Sequence, residues 1–108
     1  METARNFAEK YKVILVLKGA QTLVACPDGA LFICPTGNPG MACGGMGDVL
    51  TGMIAAFLAQ NLPPDSAALA GVYVHGLCGD LLAQEHTVGF LASDMVAGIP
   101  QALNTLLT

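Results

Sequence analysis

Apolar positions change their spacing along this chain, and each spacing predicts a different kind of element. Positions 13–17 read VILVL, a continuous apolar run that is typical of a strand covered on both faces. Two shorter strand-like runs, 22–25 and 31–34, flank the turn-forming sequence PDG at 27–29. We therefore expect one buried strand followed by a β-hairpin.

A helical spacing begins after the hairpin and a glycine-rich turn. Apolar residues recur along one stripe, at positions 49, 50, 53, 54, 57 and 58. The opposite face carries glycine and alanine instead of charge, at positions 52, 55, 56 and 59. Because neither face is polar, we expect this helix to be buried nearly all round.

Two further helices are predicted downstream. Two prolines at 63–64 end the first helix and start the next, which should cover about 65–85. Ser93 or Asp94 can cap a last helix, which Pro100 should strain or kink.

The N-terminal residues 3–10 look like the end of another helix, with Phe7 turned inward. The element order is then a strand, a hairpin and three helices. That order predicts a piece of an α/β fold, in which the three helices pack on one face of a small sheet.

Composition adds a constraint on what surrounds this piece. Of the 108 residues, 54% are apolar and only 11% are charged, whereas about 25% of a typical globular domain is charged. A small domain has a high surface-to-volume ratio and should be more polar than average. We therefore expect part of the apolar surface to be covered by more protein.

Charge and hydropathy exclude several classes of protein. The net charge of −4, with four Lys and Arg in total, argues against binding of nucleic acid. The uncharged run 49–64 is too short for a membrane span and carries Gly, Gln, Asn and two prolines, so we expect no membrane segment. The N-terminal sequence METARNFAEKY is charged and lacks the apolar core of a signal peptide.

The four cysteines show no CxxC spacing, and no paired histidines complete a metal site: Cys26, Cys34, Cys43 and Cys78. We interpret them as reduced, mostly buried thiols of a cytoplasmic protein. Cys43 lies in the glycine-rich turn, but it has no basic neighbour in sequence that would activate it.

The glycine-rich turn is the best candidate for chemistry. Gly44, Gly45 and Gly47 allow backbone N–H groups to approach a ligand, and a helix that begins there adds unpaired donors and the positive end of its dipole. With Met46, they form a candidate anion site suited to phosphate. Asp48 would repel that anion, which suggests that it takes a proton from an attacking hydroxyl. The alternative is an ordinary turn with Asp48 as N-cap.

A second candidate, KGAQT at 18–22, directly follows the buried strand. Ligands of α/β folds bind at this end of the strands. Lys18 can equally be a solvated charge at the end of a strand.

These segments together resemble a known family. The string NPGMACGGMGDVLTGMIAAFLAQ from Asn38 resembles the signature of the ADP-dependent (S)-NAD(P)H-hydrate dehydratases, a branch of the ribokinase-like superfamily. The family usually has threonine at Cys43 and serine or threonine at Met46. KGAQT resembles its KGxxT motif, and VYVHGLCGD at 72–80 resembles its VYLHGLAGD.

The resemblance implies a fold and a set of site residues. The ribokinase-like fold needs a considerably longer chain, so residues 1–108 would be a C-terminal, nucleotide-binding fragment of it. Asp48 would be the catalytic base and would face the hydrated dinucleotide. The phosphoryl group would lie on the backbone of 44–47, the anion hole. The adenine nucleotide would contact Lys18, Gly19, Ala20, Gln21, Thr22 and Gly47.

The implied reaction repairs hydrated NADH or NADPH. The ring hydroxyl would accept the terminal phosphoryl group of ADP, and phosphate would then leave to restore the double bond. Mg²⁺ would assist, with ligands outside this chain, and we expect a homo-oligomer. Two alternatives stay open, namely a ribokinase-like kinase for hydroxymethylpyrimidine or pyridoxal and a non-catalytic nucleotide-binding fragment.

Two residues of the VYVHGLCGD segment are polar. By their helical spacing, His75 and Asp80 should not share a face. We interpret both as contributing to helix packing and hydrogen bonding. His86 has no evident role, and the methionines Met41, Met46 and Met53 should pack rather than bind a cofactor.

Overall fold

The sheet is a three-stranded antiparallel meander. The computed structural model describes residues 2–19, 21–41, 44–85 and 90–107. Strands β1 (Leu15–Leu17), β2 (Leu23–Ala25) and β3 (Leu31–Ile33) lie in the order β1-β2-β3. Val24 is paired with Val16 on one side and with Phe32 on the other.

The turn between β2 and β3 confirms the predicted hairpin. Gly29 has a φ of 93°, a left-handed conformation that favours glycine. The Asp28 carboxylate accepts the N–H of Ala30 at 2.9 Å. The Cys26 N–H donates to the carbonyl of Ala30 at 2.9 Å, which closes the end of the ladder.

Helix α1 (Glu2–Tyr11) covers one face of the sheet. Ala4 and Ala8, one turn apart, are its buried residues, and they pack with Ala25, Leu15 and Leu31. Phe7 is 46% exposed, so the prediction that it points inward is wrong. The alanine side chains face the sheet instead, because their small size allows the helix to approach it closely.

The first strand is shorter than predicted, and its side chains are less completely buried. It is limited to Leu15–Leu17, and Val13 is exposed. Leu15 packs toward α1, and Val16 packs toward the helical layer. Leu17 is 48% exposed, so the strand is covered on both faces only over its first two residues. Leu17 faces the same side as Leu15, and no helix of the described chain covers it there.

Three helices form the layer on the other face: α2 (Met46–Ala59), α3 (Pro64–Glu85) and α4 (Ala92–Leu107). Asn61, with a φ of 67°, adopts the left-handed conformation just beyond the end of α2. The Asp94 carboxylate accepts the N–H of Leu91 at 2.8 Å and so caps α4. The helix continues through Pro100. The α/β prediction and the three helix positions are therefore confirmed.

Burial of α2 differs from the prediction. Met46, Leu50 and Met53 are its buried residues. Its small face is exposed, at Gly52, Ala55, Ala56 and Ala59. Helices α3 and α4 cover only one side of α2, so all-round burial is not reached within the described chain.

Helix α3 is the centre of the helical layer. Its glycines lie so close to neighbours that an added Cβ would clash: Gly71 meets Ile54, Gly76 meets Thr36 and Gly79 meets Met41. By length and composition, Pro64–Glu85 could also cross a membrane, and 56% of its most apolar window is buried in the fold. Core helices of soluble proteins meet the same criteria, so the length and composition of α3 are weak evidence for a membrane span.

Candidate functional site

A cleft of about 740 Å³ opens where the sheet meets the N-terminal end of α2. It is lined by residues of four segments, at 18–22, 36–41, 44–50 and 72–76. The segments come from the end of β1, the loop after β3, the start of α2 and the middle of α3. The cleft is therefore formed by parts that are far apart in the sequence.

Lys18 lines this cleft and lies beside Gly47, which is itself not among the lining residues. The Lys18 Nζ lies 3.4 Å from the position that a Cβ on residue 47 would occupy. Glycine at 47 therefore leaves space for the ammonium group beside the first turn of α2. The two motifs that the sequence singled out are brought together in the fold.

The first turn of α2 has N–H donors that no side chain in the described part of the chain caps. Gly45 is the N-cap residue, with a φ of 89°, and it makes no side-chain cap hydrogen bond. The Val49 N–H donates to the Gly45 carbonyl at 3.1 Å. The N–H groups before Val49 have no acceptor within their own helix. Together with the Lys18 ammonium, they form a positive region that suits an anion.

Asp48 is the third residue of α2 and is exposed. It is therefore not the N-cap, and the interpretation as an ordinary cap is wrong. It borders a second groove of about 490 Å³ between α2 and α4, which is lined mainly by apolar side chains such as Phe57 and Ile99. Consecutive residues of a helix point about 100° apart, so Gly47 and Asp48 face different sides of one helix end.

The other predicted site residues are distributed as follows. The lining of the cleft includes Lys18, Gly19, Thr22, Gly44 and Met46. Gln21 is exposed and is not among the lining residues. Gly45 instead lies against Ala92 at the start of α4. Three residues with sequence interpretations, Ala20, Cys43 and His86, lie outside the described residues.

Hydrogen bonds to α3 hold the loop that follows β3. The Asp80 carboxylate accepts the Gly37 N–H at 3.1 Å and the Asn38 side-chain amide at 2.9 Å. The Thr36 hydroxyl donates to the Tyr73 carbonyl at 2.9 Å. The predicted hydrogen-bonding role of Asp80 is confirmed. Sequence reasoning did not assign this loop to the site, although the glycines at 76 and 79 signal a close approach to α3.

His75 is a buried polar residue that lines the cleft. It is 6% exposed, and its Nε2 donates to the Met46 carbonyl at 3.1 Å. Burial lowers the pKa of His75, the Met46 carbonyl opposes that change, and the Lys18 charge adds to the lowering. The ring is thus favoured in its neutral form, with the proton on Nε2. The interpretation of His75 as a packing and hydrogen-bonding residue is confirmed.

Three of the four cysteines, Cys26, Cys34 and Cys78, are free and buried. Burial raises the pKa of the Cys26 thiol, and the charges of Asp28 and Asp65 raise it further. Burial also raises the pKa of Cys78. Both thiols are thus disfavoured as nucleophiles. In the described ranges, no group of three or more His, Cys, Asp or Glu residues is placed to hold a metal ion.

Comparison with known proteins identifies relatives along almost the whole chain. Residues 1–101 match the NAD(P)H-hydrate dehydratase family model. A bifunctional NAD(P)H-hydrate repair enzyme of Moorella thermoacetica is 45% identical over 98% of this chain and 20% of its own length. An ADP-dependent (S)-NAD(P)H-hydrate dehydratase of Bacillus subtilis is 42% identical over 91% of this chain and 36% of its own length. The chain thus spans between a fifth and little more than a third of these relatives.

Solved structures confirm the fold. An ADP/ATP-dependent NAD(P)H-hydrate dehydratase from Bacillus subtilis, co-crystallised with ATP and Mg²⁺ and soaked with CoA, superposes with a TM-score of 0.92. It is 40% identical and is matched over 96% of this chain and 39% of its own. A ribokinase-like superfamily protein from Enterococcus faecalis has a TM-score of 0.79 at 35% identity, over 96% of this chain and 36% of its own.

Proposed function

This chain belongs to the NAD(P)H-hydrate dehydratase family, and we propose that its protein repairs hydrated NADH and NADPH in an ADP-dependent reaction. The observation that carries the proposal is the meeting of Lys18 and Gly47 at the N-terminal end of α2. A cation and uncapped N–H donors at one edge of a cleft suit the phosphates of a nucleotide.

The nucleotide would lie in the cleft. We assign its binding to Lys18, Gly19, Ala20, Gln21, Thr22 and Gly47. The transferring phosphoryl group would lie on the backbone of residues 44–47, where the helix dipole stabilises negative charge. Lys18 would act as a point charge on the phosphates.

Asp48 would be the general base. It takes the proton of the ring hydroxyl, whose oxygen attacks the terminal phosphorus of ADP while AMP leaves. The phosphorylated ring then loses phosphate and a proton from the adjacent carbon, and the double bond of NADH or NADPH returns. Asp48 borders the α2–α4 groove and Gly47 faces Lys18. The dinucleotide and the ADP would therefore approach one helix end from different sides.

Mg²⁺ would neutralise the phosphate charge during transfer. The described residues do not bring three acidic, histidine or cysteine side chains together. They do not fit a metal site of their own, so we place the ligands of Mg²⁺ on the nucleotide and on residues outside this chain.

The rest of the site would come from additional sequence. We propose that residues 1–108 form the nucleotide-binding, C-terminal portion of a larger ribokinase-like domain. This chain spans little more than a third of the length of the ADP-dependent relative, which supports this proposal. We also propose that the whole protein is cytoplasmic and a homo-oligomer.

A single assay tests the function. The full-length protein is incubated with (S)-hydrated NADH, ADP and Mg²⁺, and the return of NADH absorbance is followed. An ADP-dependent rise, with AMP and phosphate formed in equal amounts, is expected. Phosphorylation of hydroxymethylpyrimidine or pyridoxal without any dehydration would instead identify a small-molecule kinase. Nucleotide binding with neither reaction would identify a non-catalytic protein.

A further inference from the structure

The peptide unit between Met46 and Gly47 is hydrogen-bonded at its carbonyl oxygen to a histidine that has no role in the proposed binding of the nucleotide. The His75 Nε2 donates to the Met46 carbonyl at 3.1 Å. The N–H of Gly47 belongs to the same peptide unit, and it lies in the uncapped first turn of α2. Because a peptide unit is planar, fixing the direction of its carbonyl also fixes the direction of its N–H.

The histidine is well placed to fix that direction. It is 6% exposed and lies on α3, which packs along α2, so its ring has little freedom. Helix α3 also holds the loop at 36–38 on the other side of the cleft. A hydrogen bond received at a carbonyl polarises the peptide and strengthens the donor at its other end. The contact therefore both orients and strengthens the Gly47 N–H.

The Met46 carbonyl is available for a second partner. As a residue of the first turn of α2, Met46 offers its carbonyl to the helix ladder, and a carbonyl oxygen has two lone pairs. The histidine uses the remaining one without breaking the helix. A hydrophobic residue of similar size would fill the same space but would leave the carbonyl held by the helix ladder alone.

We propose that His75 is a positioning residue for phosphoryl binding, which holds the Met46–Gly47 peptide so that its N–H faces the nucleotide phosphates. The inference rests on the proposed function, because it assumes that ADP phosphates bind at this helix end. His75 does not touch the reacting atoms. Its effect on ADP passes through the backbone of the glycine-rich turn.

The same helix provides a matched control. The Cys78 thiol lies one turn beyond His75, is 1% exposed and donates to the Met95 carbonyl at 3.3 Å. It is therefore also a buried side chain of α3 that is bonded to a helix carbonyl, but its partner belongs to α4. A purely structural role for His75 would make the two positions equivalent in their effect on ADP.

The test measures ADP affinity and thermal midpoint of the full-length protein in the wild type and three variants. His75→Leu removes the donor and should weaken ADP binding about tenfold, which corresponds to about 1.4 kcal/mol. His75→Gln keeps an N–H donor near the Nε2 position and should bind within about threefold of the wild type. Cys78→Ala should lower the thermal midpoint and leave ADP affinity unchanged.

The outcomes separate the inference from the function on which it rests. Equal ADP affinity in the wild type and in His75→Leu would overturn the inference alone. The inference would also be overturned if His75→Leu and Cys78→Ala both lost ADP affinity in proportion to their loss of thermal stability. If His75→Leu does not fold, His75→Gln alone tests the inference, and a tenfold loss of its ADP affinity would contradict it. A wild-type protein that does not bind ADP overturns both proposals.

Discussion

At the scale of single residues, one helix end presents two different chemical groups on two sides. Gly47 faces the Lys18 ammonium, and the next residue, Asp48, borders the groove between α2 and α4. A cation that holds phosphate and a carboxylate that removes a proton would interfere if they were in direct contact. The helical rotation between consecutive residues separates them.

The role of Asp48 is tested by replacement with asparagine. Asp48→Asn keeps the size of the side chain and removes the base, so turnover should fall by on the order of 10²-fold or more. ADP affinity should survive. Steady-state kinetics and calorimetry of the full-length protein measure both quantities. Asp65→Asn, in the first turn of α3, is the matched control and should retain activity. Near-normal turnover in Asp48→Asn would remove this residue from the chemistry.

Lys18 is tested through binding in the absence of chemistry. Lys18→Ala should weaken ADP binding several-fold, because an exposed lysine acts on the phosphates as a point charge. The thermal midpoint without ligand should stay almost unchanged. Calorimetry at matched salt gives the affinity, and Lys10→Ala on α1 controls for the loss of one surface charge. If both variants bind ADP as the wild type does, Lys18 is only a solvated charge at a strand end.

Sequence patterns point to some of these candidate residues and not to others, for a physical reason. The glycines at 44, 45 and 47 precede or open a helix, and these residue types already suggest a phosphate site, whereas only the resemblance to the family assigns Lys18 to the nucleotide. His75 acts on a backbone carbonyl from a distant part of the chain. A backbone acceptor leaves no mark in the sequence, so no motif could link His75 to Met46. The groove beside Asp48 depends on where α4 packs. The spacing of apolar residues along α2 gives no information about that position.

At the scale of elements, positions were predicted better than burial. Proline pairs, capping residues and the turn at 27–29 are local signals, and they locate the hairpin and the three helices well. Burial depends on what packs against each element. Phe7 and the small face of α2 were expected inside, and both are exposed. The composition of an element gives its preference for burial, but a neighbouring element has to supply the cover.

The contact between α3 and the loop after β3 gives a prediction at this scale. Asp80→Ala removes an acceptor shared by Gly37 and Asn38. Because hydrogen bonds to a charged group contribute more than neutral ones, the loss of stability should be about 2 kcal/mol. Loosening of the cleft wall should also raise the KM for nucleotide. Chemical denaturation and kinetics test this, with Glu85→Ala at the exposed end of α3 as control. Unchanged KM and stability would show that other contacts hold the loop.

At the scale of the whole molecule, this chain exposes apolar surface that a small independent domain normally covers. Leu17 and Ile33 lie together on the uncovered part of the sheet, on the side where α1 packs. Both β1 and β3 are edge strands of the three-stranded sheet. Exposed apolar faces and open strand edges favour association with other chains.

The isolated 108-residue polypeptide should therefore self-associate, or remain soluble only beside the rest of its protein. It should also lack dehydratase activity alone, because the proposed acceptor pocket needs additional sequence. Analytical sedimentation gives the association state, and the NADH absorbance assay gives the activity. A stable and fully active monomer would contradict both the fragment interpretation and the proposed division of the site.

The two hydrogen bonds of Asp80 also constrain the order in which the chain folds. They join residues 43 and 42 positions apart, whereas each strand of the meander pairs with its neighbour in sequence. Because longer loops close at greater entropic cost, the hairpin should form before the loop docks on α3. In pulse-labelling hydrogen exchange, the Gly37 amide should become protected later than that of Val24, and earlier protection would exclude this order. The cleft would then be the last feature to form, and a chain with complete strands and helices could still be unable to bind its ligand.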